Sequence, residues 1–318
     1  MKLELYIENN GNVQMPLVVG SVKLETRRIG APSKLTFSVL RDAKANFVEG
    51  NVARLTVDGK DMFYGFVFSK RRDKNHIIEV TAYDQLRYLK NKDTYCIKNE
   101  TASDVIRKIA ADFKLQLGNI ENTSYVIPFR EEVNSSLFDI IYTALGLDLE
   151  NTGNMYIFYD NFGRLTLQSL ETMKVDLIID EETGQNFDYE SSIDDATYNR
   201  IRLVYDNDET GKRDVYVAQS GDNINRWGVL QYYGTLQEGE NGEAKVNALL
   251  RHFNLKTRKL KIKNALGDTR IRAGSMPIVN LHLGDIIVRS HLFVEKCTHT
   301  FNENEHWMDL TLRGGQIV

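Results

Sequence analysis

The chain has 318 residues, 42% hydrophobic and 26% charged, which suits two to four domains of ordinary globular composition. These fractions exclude a disordered chain, a fibrous repeat and a membrane-embedded protein. Lys plus Arg is 40 against Asp plus Glu 44, a formal net charge of -4, which speaks against a broad basic nucleic-acid surface. Cys96 and Cys297 lie far apart and supply neither a disulfide scaffold nor a cysteine-built zinc site.

Met1 to Asn10 alternates apolar and polar residues and lacks the pattern of a signal peptide. No apolar run approaches the roughly 20 residues that span a bilayer. Synthesis and folding in a cytoplasm are therefore expected. Period-2 alternation continues through Ser21–Thr26, Lys34–Val39 and Val52–Val57. Asp58-Gly59 supplies the positive φ angles of a tight type I′ hairpin. The returning strand carries Met62, Tyr64, Phe66 and Phe68 on one face and Phe63 and Val67 on the other. A strand that is apolar on both faces is covered on both. With His76–Tyr83, these short strands predict an antiparallel barrel or sandwich over 1–92.

Near residue 93 the period changes. Thr101-Ala-Ser-Asp104 is a capping box, followed by Val105, Ile106, Ile109, Ala110 and Phe113 at helical spacing. A second helix starts after Asn134 or Ser135, with the stripe Leu137, Ile140, Ile141, Ala144 and Leu145. Asp160-Asn-Phe-Gly163 reads as the turn of a hairpin, so 93–186 is an inserted α+β domain. Strands resume over 187–218 and again over 260–318, which together predict a second barrel. The intervening 219–259 is a small insertion with a helix over Ala244–Phe253. The fold class is thus α+β, mainly β.

Sliding the N-terminal strands by 230 residues brings Phe63 over Phe293 and His76-Ile-Ile-Glu-Val-Thr81 over His306-Trp-Met-Asp-Leu-Thr311. Gly50-Asn-Val52 then matches Gly284-Asp-Ile286 if the second hairpin is shorter. The match is short and degenerate, and two unrelated amphipathic strands could also produce it. If it is a true repeat, one chain carries two copies of one β-unit, and three chains would present six.

Four blocks carry a family resemblance: Val80–Asn91, Lys98–Phe113, Arg226–Tyr232 and Asn264–Gly274. In this order they resemble the XkdQ/YqbQ-type baseplate hub proteins of PBSX-like contractile tails. That group is similar in architecture to the tube-forming hubs of contractile phages and to the hub half of type VI secretion spikes. The resemblance implies a homotrimer with two tube domains per chain, joining the tail tube to the central spike. It also implies baseplate wedge and tape-measure proteins as further partners, and a place in the baseplate of a virion or tail-like particle. No cofactor, specific nucleic acid or membrane insertion is expected.

Chemistry has weaker support. His299 and His306 could meet across a hairpin, but no helical His pair offers a metal two ligands. Asp206–Gly211 resembles half of a calcium loop, yet Val217 stands where its Glu should be, so a hairpin loop is favoured. No nucleophile elbow or phosphate loop occurs. Paired acids such as Glu131-Glu132 read as solvated surface, leaving a hub-associated cell-wall hydrolase or peptidoglycan-binding protein as the rival reading. The interface candidates are Met62, Tyr64, Phe66 and Phe68, expected to pack outward on a neighbouring chain. Arg270 and Arg272 read equally as carboxylate donors across an interface or as an exposed strand before a Gly turn. Trp227 and Tyr232, with Tyr233, read as an interface cluster or, slightly better, as a satellite core.

Overall fold

The computed structural model describes all residues except 42–45, 73, 75, 195, 208–210, 237–239, 283–286 and 315–318. The first unit contains β1 (Leu3–Asn9), β2 (Asn12–Gln14), β3 (Val18–Arg27), β4 (Lys34–Leu40), β5 (Val52–Val57), β6 (Lys60–Arg72) and β7 (Ile77–Tyr83). Their order is β3-β4-β7-β6-β5-β1-β2. Asp58 and Gly59 have φ of 49° and 74°, as the β5–β6 turn requires. One face of each of β1 and β3 to β7 enters a single core, for instance Leu5, Leu24, Phe37, Leu55, Phe63 and Val80. A sheet that sends one face of six strands into one cluster has to curl. Among the described residues no ladder joins its two ends, so the unit is a curled open sheet, whereas the periodicity had suggested a closed barrel.

A 3-10 turn, Gln85–Lys90, leads into β8 (Lys92–Thr101), α1 (Ala102–Asp112), β9 (Leu117–Ile120), β10 (Val126–Ser136), α2 (Leu137–Thr152), β11 (Tyr156–Asp160) and β12 (Leu165–Ser169). The capping box forms as expected: Thr101 accepts from the Asp104 amide and Asp104 returns to the Thr101 amide. Ser136 caps α2, and Gly153 at φ 80° ends it. The two apolar helix stripes pack together with Tyr95, Ile97 and Phe158.

Next come β13 (Lys174–Ile179), β14 (Gly184–Ser192), β15 (Arg200–Asn207), β16 (Lys212–Gln219), α3 (Gly221–Trp227), β17 (Gln231–Thr235) and α4 (Gly242–Phe253). The chain closes with β18 (Thr257–Leu266), β19 (Met276–His282), β20 (Ile287–His291), β21 (Phe293–Phe301) and β22 (His306–Gly314). The pairing departs from the boundaries expected at 186 and 218. β13 pairs with β19, and β14 pairs with β18, so both belong with the C-terminal strands. β15 and β16 instead form a separate three-stranded sheet with β17. The reason is packing: Ile201 and Leu203 of β15 bury against Val246 and Leu249 of α4. Periodicity identifies strands but not their partners.

The C-terminal strands repeat the N-terminal pairing. β3-β4-β7-β6 and β14-β18-β22-β21 have the same order, and every pair is antiparallel. In the first copy Phe66 faces Tyr83 and Val67 faces Ala82, with a bulge before Ser69. In the second, Phe293 faces Arg313 and Val294 faces Leu312, with a bulge before Lys296. Val67 exchanges backbone hydrogen bonds with Gly50 and Asn51, and Val294 does so with Gly274 and Ser275. Gly50 and Gly274 have φ of 90° and 95°. The repeat therefore exists, but one uniform slide misplaces part of it. The β7 to β22 match holds, Phe66 rather than Phe63 is the counterpart of Phe293, and Gly274 rather than Gly284 is that of Gly50. Gly284–Ile286 lies outside the described residues. The copies are joined edge to edge, because β21 pairs with β3 from Lys296↔Arg27 to Phe301↔Val22. The outcome is one sheet of 11 strands.

The two equivalent glycines differ in surroundings. A Cβ on Gly50 meets open space, whereas one on Gly274 would lie 2.4 Å from Cγ2 of Ile157. Gly50→Ala should cost about 1–2 kcal/mol of backbone strain, and Gly274→Ala clearly more, read as the difference in urea midpoints at constant m-value.

Candidate functional site

The first sheet, the inserted α+β part and the C-terminal sheet meet at a cavity of about 210 Å³. Each contributes one buried or half-buried charged residue to its wall: Asp84, Asp160 and Arg272. Asp84 is placed by capping, since its two carboxylate oxygens accept from the Leu86 amide at 3.1 Å and the Ser33 amide at 3.0 Å. Asp160 closes the β11–β12 hairpin by accepting from the Gly163 amide at 2.7 Å. Arg272 lies in the turn between β18 and β19, with its guanidinium 3.9 Å from the centre of the Tyr159 ring. Asp160 Oδ2 and Arg272 Nε are buried with no hydrogen-bond partner.

Two buried carboxyls thus lie in one wall with a single guanidinium, and no direct ion pair joins either to it among the described residues. Burial, reinforced by Asp160, pushes the Asp84 carboxyl up to about 8, against the pull of the Ser33 hydrogen bonds and Arg272. Burial also raises Asp160 and makes the Arg272 charge harder to hold. His299, another cavity-wall residue, is neutral for the same reason: desolvation and then His306 lower it to about 3. Its Nε2 lies 2.8 Å from the Ile271 carbonyl, so that nitrogen donates, and Nδ1 accepts from His306 Nε2 at 2.8 Å. The two histidines do meet across their hairpin, as the spacing suggested. Their facing nitrogens are used on each other, and no group of three metal-ligating side chains occurs among the described residues.

Further bonds tie the same three parts. Arg28 of the first unit holds Glu295 of β21 at 2.8 and 3.0 Å. Tyr142 of α2 donates to the Arg28 carbonyl at 2.9 Å. The Ala273 amide donates to Thr26 Oγ1 at 2.9 Å.

The outward face of β6 is covered from within the chain. Tyr64 meets Phe162 of the β11–β12 turn at 5.7 Å, and Phe66 and Phe68 meet Tyr88 of the 3-10 turn at 6.2 and 6.0 Å. Met62 packs at the margin of the first core. The expected cover was a neighbouring chain; within this chain the half-buried face lies against Phe162 of the insertion and Tyr88 of the 3-10 turn. Arg270 is exposed and held by Asp268 through Nη2 at 2.6 Å, and Arg272 points into the cavity; both sit in a turn rather than a strand. Tyr232 stacks on Phe253 at 5.6 Å in the satellite core of β15 to β17 and α4, while Trp227 ends α3, half-buried. Asp206 pairs with Arg213 across the β15–β16 hairpin, and 208–210 of the calcium-like loop lies outside the described residues. Asp84 and Asp160 were not singled out from sequence as a site; a capping Asp and a turn Asp carry no pattern that announces they converge.

Among the strand edges that have no partner within the described residues, two lie at the outer ends of the paired copies. β14 ends the 11-stranded sheet. The Ser69–Arg72 stretch of β6 pairs with β7 on one side only, because β5 stops opposite Phe66.

The family model described as YqbQ-like matches residues 22–313. The chain is similar to the uncharacterized protein YqbQ of Bacillus subtilis (strain 168), 30% identical over 311 residues, covering 93% of this chain and 92% of that one. It is also similar to the phage-like element PBSX protein XkdQ of the same organism, 29% identical over 308 residues, with 93% and 92% covered. Among solved structures, a tail protein from Neisseria meningitidis MC58 shares the fold at a TM-score of 0.70 and 13% identity, covering 99% of this chain and 97% of that one.

Asp160→Asn puts an amide where Oδ2 has no partner and leaves Arg272 a single carboxylate. A carboxyl raised in the folded state costs nothing below its unfolded value near 4 and progressively more as pH rises through the folded value. The variant should therefore match the wild type near pH 4 and exceed it at pH 8 by on the order of 1 kcal/mol, measured by urea denaturation at both pH values. Equal urea midpoints at pH 8 count against the shared-charge account.

Proposed function

Because the chain belongs to the YqbQ-like family, we propose that it is a structural protein of a phage-type tail, acting as the baseplate hub. In this reading three copies close a ring. Their six β-units surround a channel that joins the sixfold tail tube to the threefold spike, with wedge and tape-measure proteins as neighbours. The observation that carries it is the duplicated β-unit, matched in strand order, bulge and glycine contact and already joined edge to edge within one chain. A chain that contains two equivalent units lets threefold assembly present sixfold geometry. The relation to XkdQ of the phage-like element PBSX, and the fold shared with a tail protein, support a place in a tail or tail-like particle. The two units serve as the tube modules, and the α+β insertion stands beside the tube. Arg270, exposed on its turn, is the sequence candidate best placed to meet another chain.

The hydrolase reading would draw on the cavity where Asp84 and Asp160 converge. That cavity, at about 210 Å³, is smaller than the roughly 300–1,000 Å³ of ordinary small-ligand sites, and its wall is drawn from three parts of the chain. We therefore assign a structural role without turnover.

Native mass spectrometry of the purified chain, alone and with its tail tube protein, should show a species of three times 36.5 kDa. A chain that remains single in both preparations overturns the trimeric ring. A zymogram on bacterial cell wall should stay uncleared, and clearing there would favour the enzyme.

A further inference from the structure

The duplicated units are not equally satisfied. Inside the chain, the outer edge of β21 is taken by β3. The corresponding edge of β6, at Ser69–Arg72, has no ladder among the described residues, and neither has the outer edge of β14. Exposed edges with unpaired backbone donors and acceptors are templates for a further strand.

The register between the copies can be followed residue by residue. Through the shared partners β7 and β22, Ser69 occupies the place of Lys296, and Arg71 that of Thr298. Through β4 and β18, Leu24 corresponds to Tyr189 and Glu25 to Glu190. One residue on in each strand, Thr26 falls on Ser191 and Arg27 on Ser192. The junction within the chain sets Lys296 opposite Arg27 and Thr298 opposite Glu25.

We propose that the Ser69–Arg72 edge of β6 pairs antiparallel with β14 of a second copy of this chain, Ser69 facing Ser192 and Arg71 facing Glu190. This rests on the trimeric reading above and supplies its contact between chains.

Two independent features favour that occupant. The first is charge. Lys70-Arg71-Arg72 ends β6, whereas the outward side chains of β14 include Asp188 and Glu190. Arg71 and Glu190 are both exposed; within the chain Arg71 reaches Glu79 only at 3.9 Å, while Glu190 stands opposite Lys259 and Asp188 pairs with Lys261 at 3.5 Å along β18, which leaves their outer sides open to a further strand. Opposite charges directly across an antiparallel pair stabilise it, and like charges oppose it. The second is missing burial. Val22 and Leu24, which face inward where β3 is covered by β21, are 0% and 2% exposed. The corresponding inward residues of β14 are Phe187, 41% exposed, and Tyr189, half-buried. An apolar position left open at one copy and closed at the other marks where the missing strand belongs. A head-to-tail edge contact of this kind makes a ring when its rotation closes, and here the rotation is set by the β3–β21 junction already present.

The test uses the full chain with Cys96→Ser, which removes its one exposed thiol. Ser69→Cys and Ser192→Cys are introduced together, since opposite residues of an antiparallel pair lie within disulfide reach. Oxidation should give a covalent trimer on a non-reducing gel that returns to single chains on reduction. Separately, Arg71→Glu and Glu190→Arg should each raise the concentration for half-assembly roughly tenfold or more, and the double exchange should restore it. Trimers in native mass spectrometry that neither cross-link nor respond to the charge exchange overturn this pairing and leave the trimeric reading standing. Single chains throughout, with no cross-link up to the solubility limit, remove both.

Discussion

Six residue pairs between β3 and β21, from Arg27 and Lys296 to Val22 and Phe301, connect the two ends of the chain. A β-strand edge buried without a partner leaves amides and carbonyls unsatisfied, at a cost comparable to a lost hydrogen bond for each group. Pairing these two edges removes that cost and converts two curled units into one continuous sheet. It also fixes their relative rotation, because a ladder of several residues admits one register when one face is buried. Phe301, fully buried against the first unit's core, and the Arg28–Glu295 ion pair hold the same seam.

Around that seam the inserted α+β part is seated by an apolar cluster, in which Ile157, Leu170 and Met173 meet Met276 and Phe293, and by polar groups. Its β11–β12 turn delivers Asp160 to the point where Asp84 and Arg272 already lie, and Phe162 to the ring of Tyr64. Gly163 is required there, since a Cβ would lie 2.6 Å from the Tyr64 ring. One charged group from each part, two negative and one positive, makes the seating sensitive to protonation. A buried pair that shares too little positive charge retains a proton at pH values where exposed carboxylates have lost theirs. His299 in the same wall, with His306 behind it, is held neutral by burial, and the pair links the Ile271 carbonyl to β22 by hydrogen bonds.

Much of the local structure was legible. The capping box at Thr101, the Asp58-Gly59 turn and the stripes of α1 and α2 are short-range signals, and each formed where its residues stand. The double-faced apolar pattern of β6, whose inner face enters the first core, was legible in the sequence. The identity of the cover was not, because Tyr88 and Phe162 come from other elements and leave no trace in β6 itself. β15 and β16 show the same limit: they alternate as strands of the main sheet do, yet pair elsewhere because α4 offers them an apolar face. The repeat was visible in its last strand, but insertions before β21 shift the register of the rest, and no single offset recovers Gly274 as the partner of Gly50.

Sequence alone determined the β-rich class, the helical segments and the turn chemistry, since each depends on residues close together in the chain; it offered two related ends only as one of two readings. Tertiary structure decided which edges meet, which acids converge and which apolar face is left open. Strand pairing joins residues hundreds of positions apart through backbone groups that every residue carries, so side-chain order contains almost no record of it. The convergence of Asp84, Asp160 and Arg272 depends in turn on that pairing, and only the assembled fold reveals three ordinary residues as one buried charge cluster.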